Sequence, residues 1–120
     1  MSYSNLKEII ALLEEARDIF DVEAGVGMIV GDSGLCEFTA PMEKAEIDIN
    51  TANYFLHRIL DEEMDNFSVV ANTARYNCVL LDEISKELKI SPFRFKCVMR
   101  PLNGVITNLK NLILEIKKGV

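Results

Sequence analysis

Apolar residues recur at helical spacing near the start of the chain. They stand three or four positions apart, with charged residues between them, and they are Leu6, Ile9, Ile10, Leu13, Ala16 and Phe20. This period places one apolar stripe along one side of an α-helix. Asn5 and Glu8 can form a capping pair at its start. We therefore predict an amphipathic helix over about Leu6–Phe20.

The pattern changes after this helix, where glycines and short apolar runs replace the helical period. Met28–Val30 reads as a short buried strand, and Gly31–Gly34 has the composition of a tight turn. Apolar and polar residues then alternate over Leu35–Thr39, as they do in a half-buried strand. The sequence thus predicts a β-hairpin between residues 20 and 41.

Two further segments carry the helical period. The first covers about Thr51–Asp65, follows a polar connection and can be capped by Asp48 or Asn50. The second covers about Leu102–Lys118 and ends in two lysines, which complement the negative end of the helix dipole. We predict a helix for each.

Residues 67–100 fit two patterns. Read as strands, they form three segments, which are Phe67–Thr73, Tyr76–Leu81 and Phe93–Arg100. Their aromatic and β-branched residues favour this interpretation. Read as helices, Asp82–Met99 is typical of a helix-turn-helix, with Pro92 in the first turn of its second helix. A third interpretation places one helical turn between two strands.

With the strand interpretation, the chain is an α+β protein with a single domain over residues 1–120. Its order is an N-terminal helix, a β-hairpin, a helix, further strands and a C-terminal helix. The predicted core consists of apolar positions on these elements, which are Ile9, Leu13, Met28, Val30, Phe55, Leu56, Ile59, Leu109 and Ile113.

Length and composition indicate the general class of protein. A chain of 120 residues can bury one core, and 49% hydrophobic with 27% charged residues is typical of a soluble globular protein. No run approaches the roughly eighteen apolar residues of a membrane span, and the start lacks the pattern of a signal peptide. We expect a cytoplasmic protein without membrane contact.

The charge is unevenly distributed along the chain. Residues 1–66 hold 15 acidic and 4 basic residues, whereas residues 67–120 hold 4 acidic and 9 basic residues. The net charge of −6 disfavours nucleic acid as a partner, although the basic C-terminal half keeps it as an alternative. The simpler interpretation is that the two halves lie against each other and partly neutralise, or that each is a solvated face.

The sequence contains no catalytic or ligand-binding motif that we recognise. The three cysteines, Cys36, Cys78 and Cys97, are far apart and form no metal-binding pair, so we expect buried free thiols. The single histidine, His57, stands beside an apolar stripe, where a structural role is more common than a catalytic one. We expect no enzymatic activity, no cofactor and no metal.

The order of elements resembles the roadblock/dynein light-chain family. The resemblance rests on the helix Leu6–Phe20 followed by GVGMIVGDSGLCEFTA, and on FRFKCVMRPLNGVITNL near the end. It implies a non-catalytic homodimer that regulates or scaffolds small GTPases and motor complexes. It also implies a dimer face on the second helix and the middle strand, which would comprise Phe55, Ile59, Ser68, Val69, Val70, Ala71 and Asn72.

Three functional hypotheses follow. The leading one is a protein-interaction adaptor, homodimeric or paired with a partner such as a small GTPase. The alternative is a transcriptional regulator with a helix-turn-helix at residues 82–99, and the third is a small-molecule sensor with a pocket between sheet and helices. Strands in residues 67–100 favour the adaptor, whereas helix across residues 79–100 favours the regulator.

Overall fold

The computed structural model describes residues 3–30, 40–63, 69–90 and 95–118, and all of these residues are helical. The four helices are α1 (Tyr3–Val30), α2 (Ala40–Glu63), α3 (Val69–Ile90) and α4 (Phe95–Lys118). Each helix packs against the next one in the chain, and α1 also packs against α4. The helices therefore form a closed ring, a four-helix bundle of 54 × 23 × 19 Å.

One apolar stripe from each helix forms the core. Leu13, Leu56, Leu81 and Leu109 are each fully buried, one from each helix. At one end of the bundle the rings of Phe20 and Phe95 stack, with their centroids 5.5 Å apart. Because the stripes face one common axis, the bundle buries them without a fifth element.

The first strand of the predicted hairpin is wrong. Met28–Val30 and the glycines before it belong to the last turns of α1, which is 28 residues long. A glycine lowers the stability of a helix by about 1 kcal/mol, but it does not end a helix that is already formed. The predicted turn and second strand, at residues 31–39, lie outside the described residues.

The second helix begins earlier than predicted, at Ala40 rather than Thr51. Pro41 occupies its first turn, where a missing N–H costs no helical hydrogen bond. Asp48 and Asn50, which we expected as caps, therefore lie inside the helix. The predicted end at Asp65 falls outside the described residues, since α2 is described to Glu63.

The strands predicted in residues 67–100 are also wrong wherever the structure describes them. Residues 69–90 are one helix, and residues 95–100 open the next. The buried positions explain why, because within each helix they fall three or four residues apart. In α3 they are Ala71, Ala74, Cys78, Leu81, Ile84 and Leu88, with Asn77 beside Cys78, and in α4 they begin with Phe95 and Val98. Residues at this spacing lie on one face of a helix, whereas a strand would bury alternate residues. The predicted α+β class is therefore wrong, and the described chain is all-helical.

Turn-forming residues inside α4 are tolerated. The resemblance implies a turn before the last helix, at Asn103 and Gly104, but both residues lie within α4, as does Pro101. They avoid the buried stripe of α4, which runs through Leu102, Val105 and Leu109 to Ile113.

Most of the predicted core is confirmed. The buried members are Ile9, Leu13, Leu56, Ile59, Leu109 and Ile113. Phe55 is only partly buried and packs against the core. Met28 and Val30 lie in α1, but their side chains are outside the described residues.

Leu13→Ala tests the core directly. Leu13 is fully buried, so its truncation should lower the free energy of unfolding by about 2–5 kcal/mol. Leu114 is 54% exposed and serves as the matched control, since Leu114→Ala should change stability by less than about 0.5 kcal/mol. Urea denaturation followed by circular dichroism measures both, and equal losses would contradict the assigned core.

Gly104→Ala tests whether α4 is continuous through its turn-forming residues. A Cβ added at Gly104 meets nothing within 4 Å, so the substitution adds no clash. Alanine should then raise the free energy of unfolding by about 0.5–1 kcal/mol, because it favours helix and restricts the unfolded chain. The same denaturation experiment measures the change, and a clear loss of stability would mean that residue 104 is not helical.

Candidate functional site

A polar cluster joins α2 to α3 and includes the only histidine. Asn53 Nδ2 donates to Asp82 Oδ1 at 2.8 Å, and His57 Nε2 lies 3.3 Å from the same oxygen. One turn away, Ser85 Oγ donates to Asn50 Oδ1 at 3.0 Å. These contacts tie two helices together at the edge of the core.

The electrostatics of this cluster oppose nucleophilic catalysis. Desolvation raises the pKa of Asp82, but the hydrogen bonds from Asn53 and His57, with Lys86 nearby, bring it below its usual value. Cys78 lies one turn before Asp82, and burial, together with Asp82 and Asp61, raises the pKa of its thiol to about 12. A thiol must be deprotonated to attack a substrate, so Cys78 is held in its unreactive form.

A second polar contact lies between α3 and α4. Asn77 is fully buried, and its Nδ2 donates to the carbonyl of Thr73 at 2.8 Å. Its Oδ1 accepts a hydrogen bond from Asn108 Nδ2 at 3.0 Å. An open groove of about 400 Å³ lies over this pair, and it extends to Tyr76 and Glu115.

The α1–α2 contact contains a nearly buried acid. Lys44 Nζ lies 2.7 Å from Glu15 Oε1 and 3.7 Å from Asp48 Oδ1. The Asp48 side chain is 7% exposed, and within the described residues its Oδ2 has no hydrogen-bond partner. Burial, and then the charge of Glu15, raise the pKa of Asp48, whereas the hydrogen bond from Lys44 lowers the pKa of Glu15.

Charges of opposite sign meet between the first and last helices. Both α1 and α2 carry six acidic and two basic residues, whereas α4 carries five basic residues and one acidic residue. Lys110 of α4 lies 3.4 Å from Glu14 of α1. The acidic and basic parts of the chain thus lie against each other and partly neutralise, as the simpler interpretation of the charge expects.

The side of α3 that faces away from the core carries exposed apolar residues. Tyr76, Val79 and Ile90 are 60%, 57% and 67% exposed, and Glu83 and Lys86 are exposed between them. The five positions are spaced by three or four residues, so they form one line on the helix. We call these five residues the outer α3 face.

The residues predicted for a dimer face do not share one surface. Phe55 is half-buried and lines a small groove against α1, while Ile59 is 3% exposed and belongs to the core. On α3, Ala71 is buried, Val70 is partly buried and Asn72 is exposed. Val69 opens α3 but its side chain is not described, and Ser68 lies outside the described residues.

Other expectations concern single residues. His57 lies at the boundary of the core, and Cys78 is a buried free thiol, as we expected. Cys97 is free but exposed, so its expected burial is wrong. Cys36 lies outside the described residues.

Sequence reasoning missed Asp48 and Asn77, which are the buried polar residues in the part of the chain that the structure describes. Asn77 lies three residues after Ala74 and four before Leu81, and Asp48 has the same relation to Ala45 and Ala52. Both therefore stand on the buried stripes of their helices. The spacing was visible in the sequence, but it becomes a signal only after the segments are recognised as helices.

Neither metal-binding groups nor similarity to known proteins assigns a function to this chain. Among the described residues, no group of three or more His, Cys, Asp or Glu side chains could hold a metal ion. None of the helices α1 to α4, as far as they are described, has the length and apolarity to cross a membrane. The chain matches no protein-family model, no curated protein and no solved structure. Its function must therefore be argued from its own residues.

Asp48 and Asp82 should change the free energy of unfolding with pH in opposite directions. Asp48→Asn should raise the free energy of unfolding at pH 7 by up to about 1 kcal/mol, because an amide can donate to Glu15 where a carboxylate repels it. The native pKa of Asp48 is raised, so the wild type gains stability as the pH falls through that pKa. The difference between variant and wild type should therefore disappear towards about pH 3.

Asp82→Asn is the matched comparison. The native pKa of Asp82 is lowered, so its contribution is present above the unfolded value and is lost as the pH falls through the native one. The variant should be less stable than the wild type at pH 7, by under about 1 kcal/mol because the side chain is half-exposed. Denaturation at several pH values measures both variants, and the same sign for both would contradict these environments.

Proposed function

We propose that this chain is a non-catalytic protein-interaction module that forms a homodimer. The observation that carries the proposal is the outer α3 face. Single exposed apolar side chains are common on protein surfaces. Three of them along one line of one helix, on a bundle whose core is complete without them, favour a surface that contacts another protein.

The polar clusters support a structural rather than a catalytic interior. The Asn53–Asp82 contact joins α2 to α3, the Asn77–Asn108 pair joins α3 to α4, and Lys44 joins α2 to Glu15 of α1. Each cluster has a role in holding helices together. The raised pKa of Cys78 also opposes its use as a nucleophile.

The basis for the homodimer differs from the one that the sequence suggested. The resemblance implied a dimer face that includes a strand over residues 68–72, but residues 69–72 are helical. The outer α3 face takes its place as the surface that a second copy would cover. The roadblock resemblance stays a prediction, and so does its small-GTPase partner, which rests on that resemblance alone.

We also propose that the protein works in the cytoplasm. The described cysteines, Cys78 and Cys97, are free thiols. Free thiols are typical of proteins in reducing compartments.

The structure has the helices that the helix-turn-helix alternative requires, but these helices do not have the geometry of that motif. Residues 79–90 and 95–100 are helical, as that hypothesis requires. However, α3 and α4 remain in contact far from their connection, through the Asn77–Asn108 pair and a groove that reaches Thr73 and Glu115. Helices in that motif cross at about 90–120°, so this contact along their length favours an antiparallel hairpin. The sensor hypothesis needed a sheet, and the described residues form none.

Sedimentation over the micromolar concentration range tests the proposed homodimer. We expect a mass that rises from the 13.5 kDa of one chain towards twice that value. Val79→Ser combined with Ile90→Ser should shift the sample towards monomer. Ile47→Ser combined with Leu114→Ser is the matched control. Ile47 and Leu114 are also exposed apolar residues, but they lie on α2 and α4. A mass of one chain at every concentration would contradict the homodimer.

Fluorescence anisotropy with a labelled random-sequence DNA duplex tests the regulator alternative. The acidic net charge leads us to expect no binding at physiological salt. Binding that weakens steeply with added salt would favour the regulator instead.

A further inference from the structure

We propose that the partner surface for the outer α3 face is the same face of a second copy, with the two α3 helices antiparallel. This inference rests on the proposed homodimer and adds its interface and its register. The ring of helices leaves Val79, Glu83, Lys86 and Ile90 accessible, because α3 packs against α2 and α4 through its other sides, whereas Tyr76 borders the groove towards α4.

The order of residues along the face is self-complementary. Its centre holds a carboxylate and an ammonium, Glu83 and Lys86, and apolar residues stand one turn beyond them on each side, at Val79 and Ile90. Val79 precedes Glu83 by four positions, and Ile90 follows Lys86 by four. The four residues from Val79 to Ile90 therefore have the same order of apolar and charged positions when they are read from either end, with the charge reversed. Tyr76 lies outside this symmetric set.

This symmetry selects one antiparallel register. When Glu83 lies opposite the partner's Lys86, Val79 falls opposite the partner's Ile90, because each pair is equally distant from the midpoint between positions 83 and 86. A two-fold axis repeats both contacts. The interface then has two ion pairs at its centre and one apolar contact at each end.

A parallel arrangement is disfavoured by charge. In register, a parallel pair of α3 helices would place Glu83 against the partner's Glu83 and Lys86 against the partner's Lys86. Like charges in direct contact oppose association, whereas the antiparallel register converts both contacts into attractions. The charge pattern thus determines the direction of the pairing.

The expected dimer is weak and sensitive to salt. One helix from each copy gives an interface at the low end of known sizes, and we expect a dissociation constant in the micromolar range. The central ion pairs are close to solvent, so added salt should raise that constant.

Charge reversal and charge exchange test the interface. Glu83→Lys alone, or Lys86→Glu alone, should raise the dimer dissociation constant by about tenfold or more, because each places like charges together. The double variant, Glu83→Lys with Lys86→Glu, exchanges the two charges and restores both attractions. Its dissociation constant should return to near the wild-type value. Sedimentation measures all four proteins, and circular dichroism confirms that each is folded.

Matched controls separate this interface from a general effect of charge. Asp61→Lys makes the same change as Glu83→Lys at an exposed position on α2, and Lys7→Glu matches Lys86→Glu on α1. Both controls should dimerise like the wild type. Equal weakening by the controls would overturn the proposed face.

Cross-linking tests the register. With Cys36 and Cys97 replaced by serine, a mixture of a Val79→Cys variant and an Ile90→Cys variant should form a disulfide-linked dimer on oxidation. Either variant alone should not, since the register places each cysteine opposite an unchanged residue. Efficient linking of Val79→Cys alone would indicate a different register and overturn the inference.

The outcomes separate the two proposals. A wild-type protein that stays monomeric contradicts the homodimer, and this inference falls with it. A wild-type dimer that is unaffected by either single charge reversal leaves the homodimer intact but overturns the outer α3 face as its interface. Weakening by both single variants and recovery in the double variant support both proposals.

Discussion

The closing contact between α1 and α4 is the constraint on which the rest of the structure depends. Each helix has one apolar stripe, and a stripe can be sealed only if neighbours cover both of its edges. The ring has four contacts between neighbouring helices. Three of them join successive helices, and the fourth is the α1–α4 contact, which includes the stacked rings of Phe20 and Phe95. The α1–α4 contact completes the core. Residues outside the four apolar stripes are then not needed for the core and can contact other molecules.

The sequence predicted the residues that this closure buries better than the elements that carry them. Leu13, Leu56 and Leu109 were assigned correctly because long helical periods surround them. Residues 69–81 were misread because valines and an aromatic residue in a short run suit a strand locally, and the packing that decides for helix comes from α2 and α4. The outer α3 face could not be predicted, since its exposure is meaningful only after the opposite side of α3 is known to be buried.

Among the described residues, α3 carries three large exposed apolar residues opposite its buried side, more than any other helix. Its inner side contributes Leu81 and Ile84 to the core, and its outer side presents Val79 and Ile90. The polar residues Asn53 and Asp82 separate these two sides along the contact with α2. A substitution on one side should therefore affect stability and one on the other should affect association, with little overlap between the two.

The hydrogen bond between the buried Asn77 and the partly buried Asn108 has a consequence for how α3 and α4 can align. Leucine side chains can interdigitate in several ways, so an apolar contact alone permits one helix to slide along the other by a turn. Such a slide would separate the two amides and leave Asn77 facing hydrocarbon, which costs about 1–3 kcal/mol for each unsatisfied group. The pair therefore favours one alignment of α3 and α4. A polar contact replaces some apolar packing at this position, and it favours a single native structure over shifted ones.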